Sequence, residues 1–253
     1  MNKIKVIKIG GKVIDNEENL DQFLSDFIGI EGNKVLVHGG GKIASEVALK
    51  LGVKTTMIEG RRVTSSDMID VVSMVYGGLV NKKIVTKLQA LNCNALGLSG
   101  ADLNVIHSKK RPSEPIDFGF VGDIENVDGA ILSSLLSEGI TPVIAPLTHD
   151  GKGQLLNTNA DNIAGFVASE LAKGQDTDLD LCFDLEGVLN GGKIITEMNM
   201  LLYRHLTGNG IIKEGMIPKL DLGFKALNAG AKSVRIVGFN WVNDINKGTR
   251  LVK

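Results

Sequence analysis

The sequence predicts an α/β fold, a three-layer αβα sandwich around a central, mainly parallel sheet. Short β-branched runs alternate with segments of helical period along the 253 residues. These runs are apolar at successive positions, as strands covered on both faces require. Two of them lead straight into glycine clusters, at Val6-Ile7-Lys8-Ile9-Gly10-Gly11 and Val35-Leu36-Val37-His38-Gly39-Gly40-Gly41. Such turns fall at the carboxyl edge of a parallel sheet, where α/β proteins bind ligands.

Taken in order, strands are expected near 3–9, 33–38, 94–98, 141–145, 179–183 and 232–237. Helices are expected near 17–29, 42–51, 66–90, 128–137, 160–172, 197–207 and 217–229. The segment 66–90 is apolar on nearly all sides, through Met68, Ile69, Val71, Val72, Met74, Val75, Leu79 and Val80, with Gly77-Gly78 in its middle. A helix of that kind is buried all round or shared with a second subunit, and a dimer contact is preferred. Residues 101–127 lack helical period and read as a hairpin or flap. The polar stretch Asp176 to Asp180 places a join near 175, between an N-terminal lobe of 1–175 and a C-terminal lobe of 176–253.

Composition narrows the function. A net charge of -1 gives no global attraction to nucleic acid or to an anionic membrane. No apolar run approaches the ~20 residues of a membrane span, and no charged-then-apolar leader opens the sequence, so a soluble cytoplasmic protein is expected. Cys93 and Cys182 lack metal-ligand spacing and read as reduced core thiols. The four histidines show no metal spacing either, so no resident metal site is expected.

Glycine lacks the Cβ that shields backbone N–H groups, and clustered N–H groups form nests of phosphate size. Two such clusters within 45 residues suit an enzyme that brings two anions together. Lys8 precedes the first and Lys42 follows the second. Lys219 lies in the first turn of a helix opened by Pro218, where a cation opposes the helix dipole. An anion held at the helix end explains it; so does a solvated lysine tolerated at small cost. Asn157-Thr158-Asn159-Ala160-Asp161 opens another helix, with Asn159 suited to cap it, and Asn157 and Asp161 are equally readable as substrate contacts. Arg62, in a polar loop, is either a solvated charge or a clamp for a carboxylate. The Walker pattern and G-x-G-x-x-G are both absent. Phosphate handling without a P-loop is what is left.

Six motifs in order, Lys8-Ile9-Gly10-Gly11, His38-Gly39-Gly40-Gly41, Gly60-Arg61-Arg62-Val63-Thr64, Asn157 to Asp161, Asp184-Leu185-Glu186-Gly187-Val188 and Gly215-Met216-Ile217-Pro218-Lys219, resemble the amino acid kinase family. The similarity runs from Lys3 to Leu251 and makes the chain one amino acid kinase domain with the carbamate kinase-like fold. It implies transfer of the ATP γ-phosphoryl to the side-chain carboxylate of an N-acylated glutamate, N-acetyl-L-glutamate first, as in arginine biosynthesis. Lys8 and Lys219 would stabilise the transferred group, and Asp161 would hold both lysines. Gly10 and Gly11 would contact phosphates. Gly40, Gly41, Arg62 and Asn157 would bind the acid, Arg62 taking its α-carboxylate. Asp184, Leu185, Glu186, Gly187, Val188 and Leu189, with Ile211, Ile212 and Lys213, would line the adenine–ribose pocket. Mg²⁺ would travel with ATP.

The same resemblance assigns the acid to the N-terminal lobe, the nucleotide to the C-terminal lobe, and a closing role to the 101–127 flap. Arginine-inhibited members carry a further helix before the first strand, so an arginine-insensitive homodimer built through 66–90 is implied. Cys182-Phe183 stand where relatives usually place Leu and Thr or Ser. Alternatives are N-succinyl-L-glutamate, another small acid or carbamate, and a nucleotide-binding sensor that has lost the chemistry.

Overall fold

The computed structural model describes residues 3–58, 60–212 and 215–253. The chain opens with β1 (Ile4–Ile9), α1 (Gly11–Ile14), α2 (Glu17–Ile28), β2 (Asn33–His38), α3 (Gly41–Lys50), β3 (Thr56–Ile58) and β4 (Arg61–Val63). There follow α4 (Ser66–Val72), a π-helical stretch (Ser73–Val80), α5 (Asn81–Ala90), β5 (Ala95–Leu98), β6 (Ile106–Lys110) and β7 (Gly122–Val127). Next come α6 (Gly129–Ser137), β8 (Thr141–Ile144), β9 (Leu147–His149), β10 (Leu155–Asn157), α7 (Ala160–Leu171) and β11 (Thr177–Phe183). The chain closes through β12 (Leu189–Asn190), β13 (Lys193–Ile194), β14 (Glu197–Met198), α8 (Met200–Gly208), α9 (Ile217–Asn228), β15 (Ser233–Gly238) and β16 (Thr249–Leu251).

Two compact units result, one of residues 1–36 with 164–253 and one of 37–163. In the first unit the strand order is β14-β16-β15-β11-β1, with the start of β2 beyond β1. β1 pairs with β11, β11 with β15 and β14 with β16, all parallel, and β15 pairs with β16 antiparallel. Every residue of β11 is buried, so both faces of the sheet are covered, as successive apolar positions had implied. α2 buries Leu20, Phe23, Leu24 and Phe27 along one stripe, and its N-terminus is closed by Asn16, whose side chain accepts from Asn19 N at 2.9 Å. The join expected near 175 therefore lies inside this unit. The hydrogen-bonded pairing of β1 with β11 draws the first 36 residues to the C-terminal part.

In the second unit β5 and β8 pair in parallel, and β10-β9-β6-β7 form a four-stranded sheet. The 101–127 segment is a hairpin, as expected, but its strands β6 and β7 belong to that sheet rather than standing alone. Its tip is also tied down: Thr64 N donates to Phe118 O at 2.9 Å and Phe120 N to Thr64 O at 2.7 Å. The 66–90 helix changes type in the middle, running as π-helix from Ser73 to Val80 around Gly77-Gly78. Met68, Val71, Val72, Val75, Tyr76 and Val80 are buried, while Met74 and Leu79 are 55% exposed. Cys182 lies in the core, where burial pushes its thiol pKa up; Cys93 is half-buried, a departure from the expected core position.

Candidate active site

The first unit gathers the phosphate-type residues. Lys8 lies near the end of β1, in register with Leu181 of β11, and its side chain turns inward. β11 ends on Phe183, and the Lys8 ammonium sits 4.9 Å from that ring's centroid. Lys219, in the first turn of α9 after Pro218, brings its ammonium to 4.3 Å of the same centroid and donates to Gly215 O at 3.3 Å. An aromatic face attracts cations through its quadrupole, which offsets part of the cost of assembling two like charges.

Gly10 and Gly11 open α1 beside them. Gly10 has ordinary extended dihedrals (φ -84, ψ 170), so no unusual conformation requires glycine there. A Cβ there would stand 3.8 Å from Lys8 Nζ, an ordinary contact, so space does not demand glycine either. Lys12 pairs with Asp184 through a short contact, and this hydrogen bond is the main cause of the lowered Asp184 carboxyl pKa. Lys8, Gly10, Gly11, Lys12, Val13, Phe183, Asp184 and Lys219 line one cavity of about 210 Å³. Three lysines against one carboxylate give it an excess of positive charge that suits an anion. Lys12 and Phe183 are functional candidates that the sequence motifs do not assign. In the sequence, only the place of Lys12 after the glycine pair and the unusual Phe183 mark them.

The nucleotide-loop residues divide. Asp184 lines the cavity, whereas Leu185, Glu186 and Leu189 lie on the surface. Gly187 and Val188 are buried against β16, where Val188 N donates to Thr249 Oγ1 at 2.8 Å and a Cβ on Gly187 would meet that oxygen at 2.9 Å. Ile211 is exposed and Ile212 buried in the segment after α8. Lys213 lies outside the described residues.

The second unit gathers the acid-type residues. Gly40 precedes α3 with φ +151, and a Cβ there would meet the Tyr76 ring at 3.1 Å. Here glycine is needed both for conformation and for space. Arg62, on β4, is 7% exposed; its Nη2 donates to Gly41 O at 2.7 Å and to Ser45 Oγ at 2.8 Å. Its Nη1 is buried with no hydrogen-bond partner among the described residues. Burying such a donor unpaired is costly, and a carboxylate satisfies it best. The polar loop expected around Arg62 is thus a strand, and the arginine is not a solvated charge. Tyr76 packs beside it; burial pushes the phenol pKa up while Arg62 pulls the other way.

Asn157, at the end of β10, donates from Nδ2 to Thr64 Oγ1 at 2.9 Å, and Thr64 Oγ1 donates to Arg62 O at 3.2 Å. Gly40, Gly41, Arg62 and Asn157 are thus linked through Tyr76, Ser45 and Thr64, three residues the sequence reading did not single out. Asp161 lies in the first turn of α7, capped as expected by Asn159, whose Oδ1 accepts from Asp161 N at 2.8 Å. Lys42 pairs loosely with Glu46 at 4.0 Å on the exposed side of α3. Among the described residues there is no group of three His, Cys, Asp or Glu able to hold a metal ion, and no helix long and apolar enough to cross a membrane.

A sequence profile described as "Amino acid kinase family" matches residues 3–238. The chain belongs to the amino acid kinase family. Within it, the chain is 49% identical over 255 residues to a protein of Bacteroides thetaiotaomicron named acetylglutamate kinase, covering 99% of each. A crystal structure of a Streptococcus mutans UA159 protein superposes with a TM-score of 0.81 at 28% identity, covering 98% of both chains. Carbamate kinase from Giardia lamblia, solved with AMP-PNP, shares the fold at a TM-score of 0.74 and 14% identity, over 100% of this chain and 98% of that one.

Proposed function

We propose that this chain transfers the γ-phosphoryl group of ATP to the side-chain carboxylate of N-acetyl-L-glutamate. The products are N-acetyl-L-glutamyl 5-phosphate and ADP, a step of arginine biosynthesis. The observation that carries the reading is the pair of ammonium groups, Lys8 and Lys219, on one ring beside the Gly10-Gly11 turn. The acceptor follows from the end-to-end similarity to acetylglutamate kinase and from the buried, half-satisfied Arg62.

The acceptor carboxylate is already ionised at neutral pH, so the reaction needs no general base. A carboxylate oxygen forms the new bond to phosphorus as the bond to the β,γ-bridging oxygen breaks, and ADP leaves with that electron pair. Such a transfer is catalysed by positioning and charge stabilisation. Lys8 and Lys219 supply the charge, and Asp161 is assigned to orienting them. Gly10 and Gly11 offer N–H groups to the phosphates. Lys12 and Asp184 supply a polar wall.

Arg62 takes the α-carboxylate through Nη1, Asn157 donates to the acid, and the Gly40-Gly41 turn holds its reacting end. The acid is assigned to the unit of 37–163 and the nucleotide to the other unit. Asp184 to Leu189 and Ile211 to Lys213 are assigned to adenine and ribose. Mg²⁺ enters as part of the Mg–ATP substrate, bound mainly through phosphate oxygens as is usual for this ion.

The protein is placed in the cytoplasm, where ATP and reducing conditions suit its free thiols. A homodimer through 66–90 is supported by the exposed Met74 and Leu79 flanking Gly78, where among the described residues a Cβ would meet no atom within 4 Å beyond its chain neighbours and its own helix backbone. The test is ADP release with N-acetyl-L-glutamate, N-succinyl-L-glutamate, glutamate, aspartate and carbamate side by side. Preference for N-acetyl-L-glutamate is expected. Preference for a free amino acid or for carbamate overturns the acceptor, and ATP binding without turnover overturns the enzyme.

A further inference from the structure

His38 ends β2 directly before the glycine turn, is fully buried, and has no part in the reaction described so far. Its Nδ1 lies 2.8 Å from Gly39 O and its Nε2 lies 3.1 Å from Asn81 Nδ2. Asn81 is itself buried, and the same Nδ2 donates to Val143 O at 2.9 Å. Of the two ends of the Asn81 amide only the nitrogen can donate to a carbonyl, so its orientation is settled by Val143 O. The amide nitrogen is a donor alone, which makes His38 Nε2 the acceptor. Nδ1 therefore carries the proton and donates it to Gly39 O. Burial holds the ring neutral, with a pKa lowered to about 4. One tautomer, in one orientation, is dictated by its surroundings.

The consequence lies across the next peptide bond. In a trans peptide the carbonyl and the following N–H point in opposite directions. Pinning Gly39 O toward the imidazole aims the Gly40 N–H away from it. The other side of the turn is held as firmly: Tyr76 and Val80, both in the π-helical stretch, back Gly40, and Asn81 is the residue that follows that stretch. Gly97 makes the room Asn81 needs, since a Cβ there would fall 1.9 Å from Asn81 Oδ1. π-Helical segments collect at functional sites; here the segment delivers Tyr76, Val80 and Asn81 to one turn.

We propose that His38, oriented by Asn81, is a positioning residue that sets the Gly40 N–H for the acceptor acid. The proposal rests on the reading that the Gly40-Gly41 turn binds that acid. His38 touches no substrate; it acts through the Gly39-Gly40 peptide.

Asparagine and glutamine separate the two ring nitrogens, because an Asn amide reaches about as far as Nδ1 and a Gln amide about as far as Nε2. His38→Asn keeps a donor for Gly39 O, whereas His38→Gln does not. The expected result is a KM for N-acetyl-L-glutamate close to wild type in His38→Asn and raised about tenfold in His38→Gln, the scale of one lost hydrogen bond. KM for ATP should stay unchanged in both. A purely structural histidine would lower the melting midpoint of both variants without splitting the two KM values. Equal KM values for the two variants, or an equal rise in KM for ATP, overturn the proposal. Should either variant not fold, ¹⁵N NMR of the wild type decides. A proton on Nδ1 from pH 6 to 8 and a Gly40 amide shifted by N-acetyl-L-glutamate are expected; an Nε2 proton or an unmoved Gly40 amide overturns it. Wild-type turnover keeps the two readings apart. Its absence overturns both, whereas turnover with equal variants overturns this one alone.

Discussion

Lys8 and Lys219 are brought to one place by Phe183, whose ring centroid lies 4.9 Å from one ammonium and 4.3 Å from the other. One lysine comes from the first strand and the other from the last long helix, so the tertiary fold alone makes them a pair. Substituting either with alanine should lower kcat by about 10²–10³-fold, the usual loss of one preorganised charge-stabilising group. Steady-state rates at saturating ATP and acid check this. Near wild-type turnover in both variants would contradict the assigned roles.

Arg62 should act on binding rather than on chemistry. In the proposed site its guanidinium is assigned to a group that does not react, so Arg62→Ala should raise KM for the acid by about 10–100-fold, as expected for hydrogen bonds to a charged group. KM for ATP should change little. Arg62→Lys should not rescue, because Nη2 already serves Gly41 O and Ser45 Oγ and a single ammonium cannot also replace Nη1.

The two glycine turns should respond differently to the same substitution. Gly10→Ala meets only ordinary contacts at 3.8 and 3.9 Å and should keep its melting midpoint and most of its turnover. Gly40→Ala forces a positive φ on alanine and a 3.1 Å contact with Tyr76, which should destabilise by about 1–3 kcal/mol. Thermal melts of both variants, with KM for each substrate, separate these effects.

His38 gives the fold a pH dependence of known sign. Its folded pKa of about 4 lies below the ordinary value of 6.5, so between those values the unfolded chain binds the extra proton. Stability is therefore greatest above pH 6.5 and falls as pH drops toward 4, by about 3 kcal/mol for this group over the full window. Urea unfolding at pH 7 and pH 4.5 should show a larger loss in wild type than in His38→Asn, which cannot take up that proton. Equal losses would contradict it.

Much of this was legible in the sequence because local pattern determines it. The apolar runs of β1 and β11 announced buried strands, Asn159 announced the cap of α7, and the glycine pairs announced both turns. What was not legible depends on partners distant along the chain. The pairing of Ile4 through Ile9 with Thr177 through Cys182 sets the unit boundary, and no local composition reveals it. Strands of three residues such as β4, β9 and β10 are too short to show a period, which left Arg62 looking like a loop charge. A motif also fixes order without orientation. Asp184 turned toward the lysines while Leu185 and Glu186, its neighbours, stayed in solvent. The π-helical turn at Ser73–Val80 likewise read as plain helix, because the spacing of its apolar residues does not distinguish the two.

The measurement that tests the central claim most directly is capture of the product itself. An acyl phosphate reacts with hydroxylamine to give a hydroxamate, so enzyme, Mg–ATP and N-acetyl-L-glutamate should yield one hydroxamate for each ADP released. The yield should disappear when ATP is omitted and fall about 10²–10³-fold with Lys219→Ala. ADP release without hydroxamate, or hydroxamate formed from free glutamate in preference to N-acetyl-L-glutamate, would contradict the account.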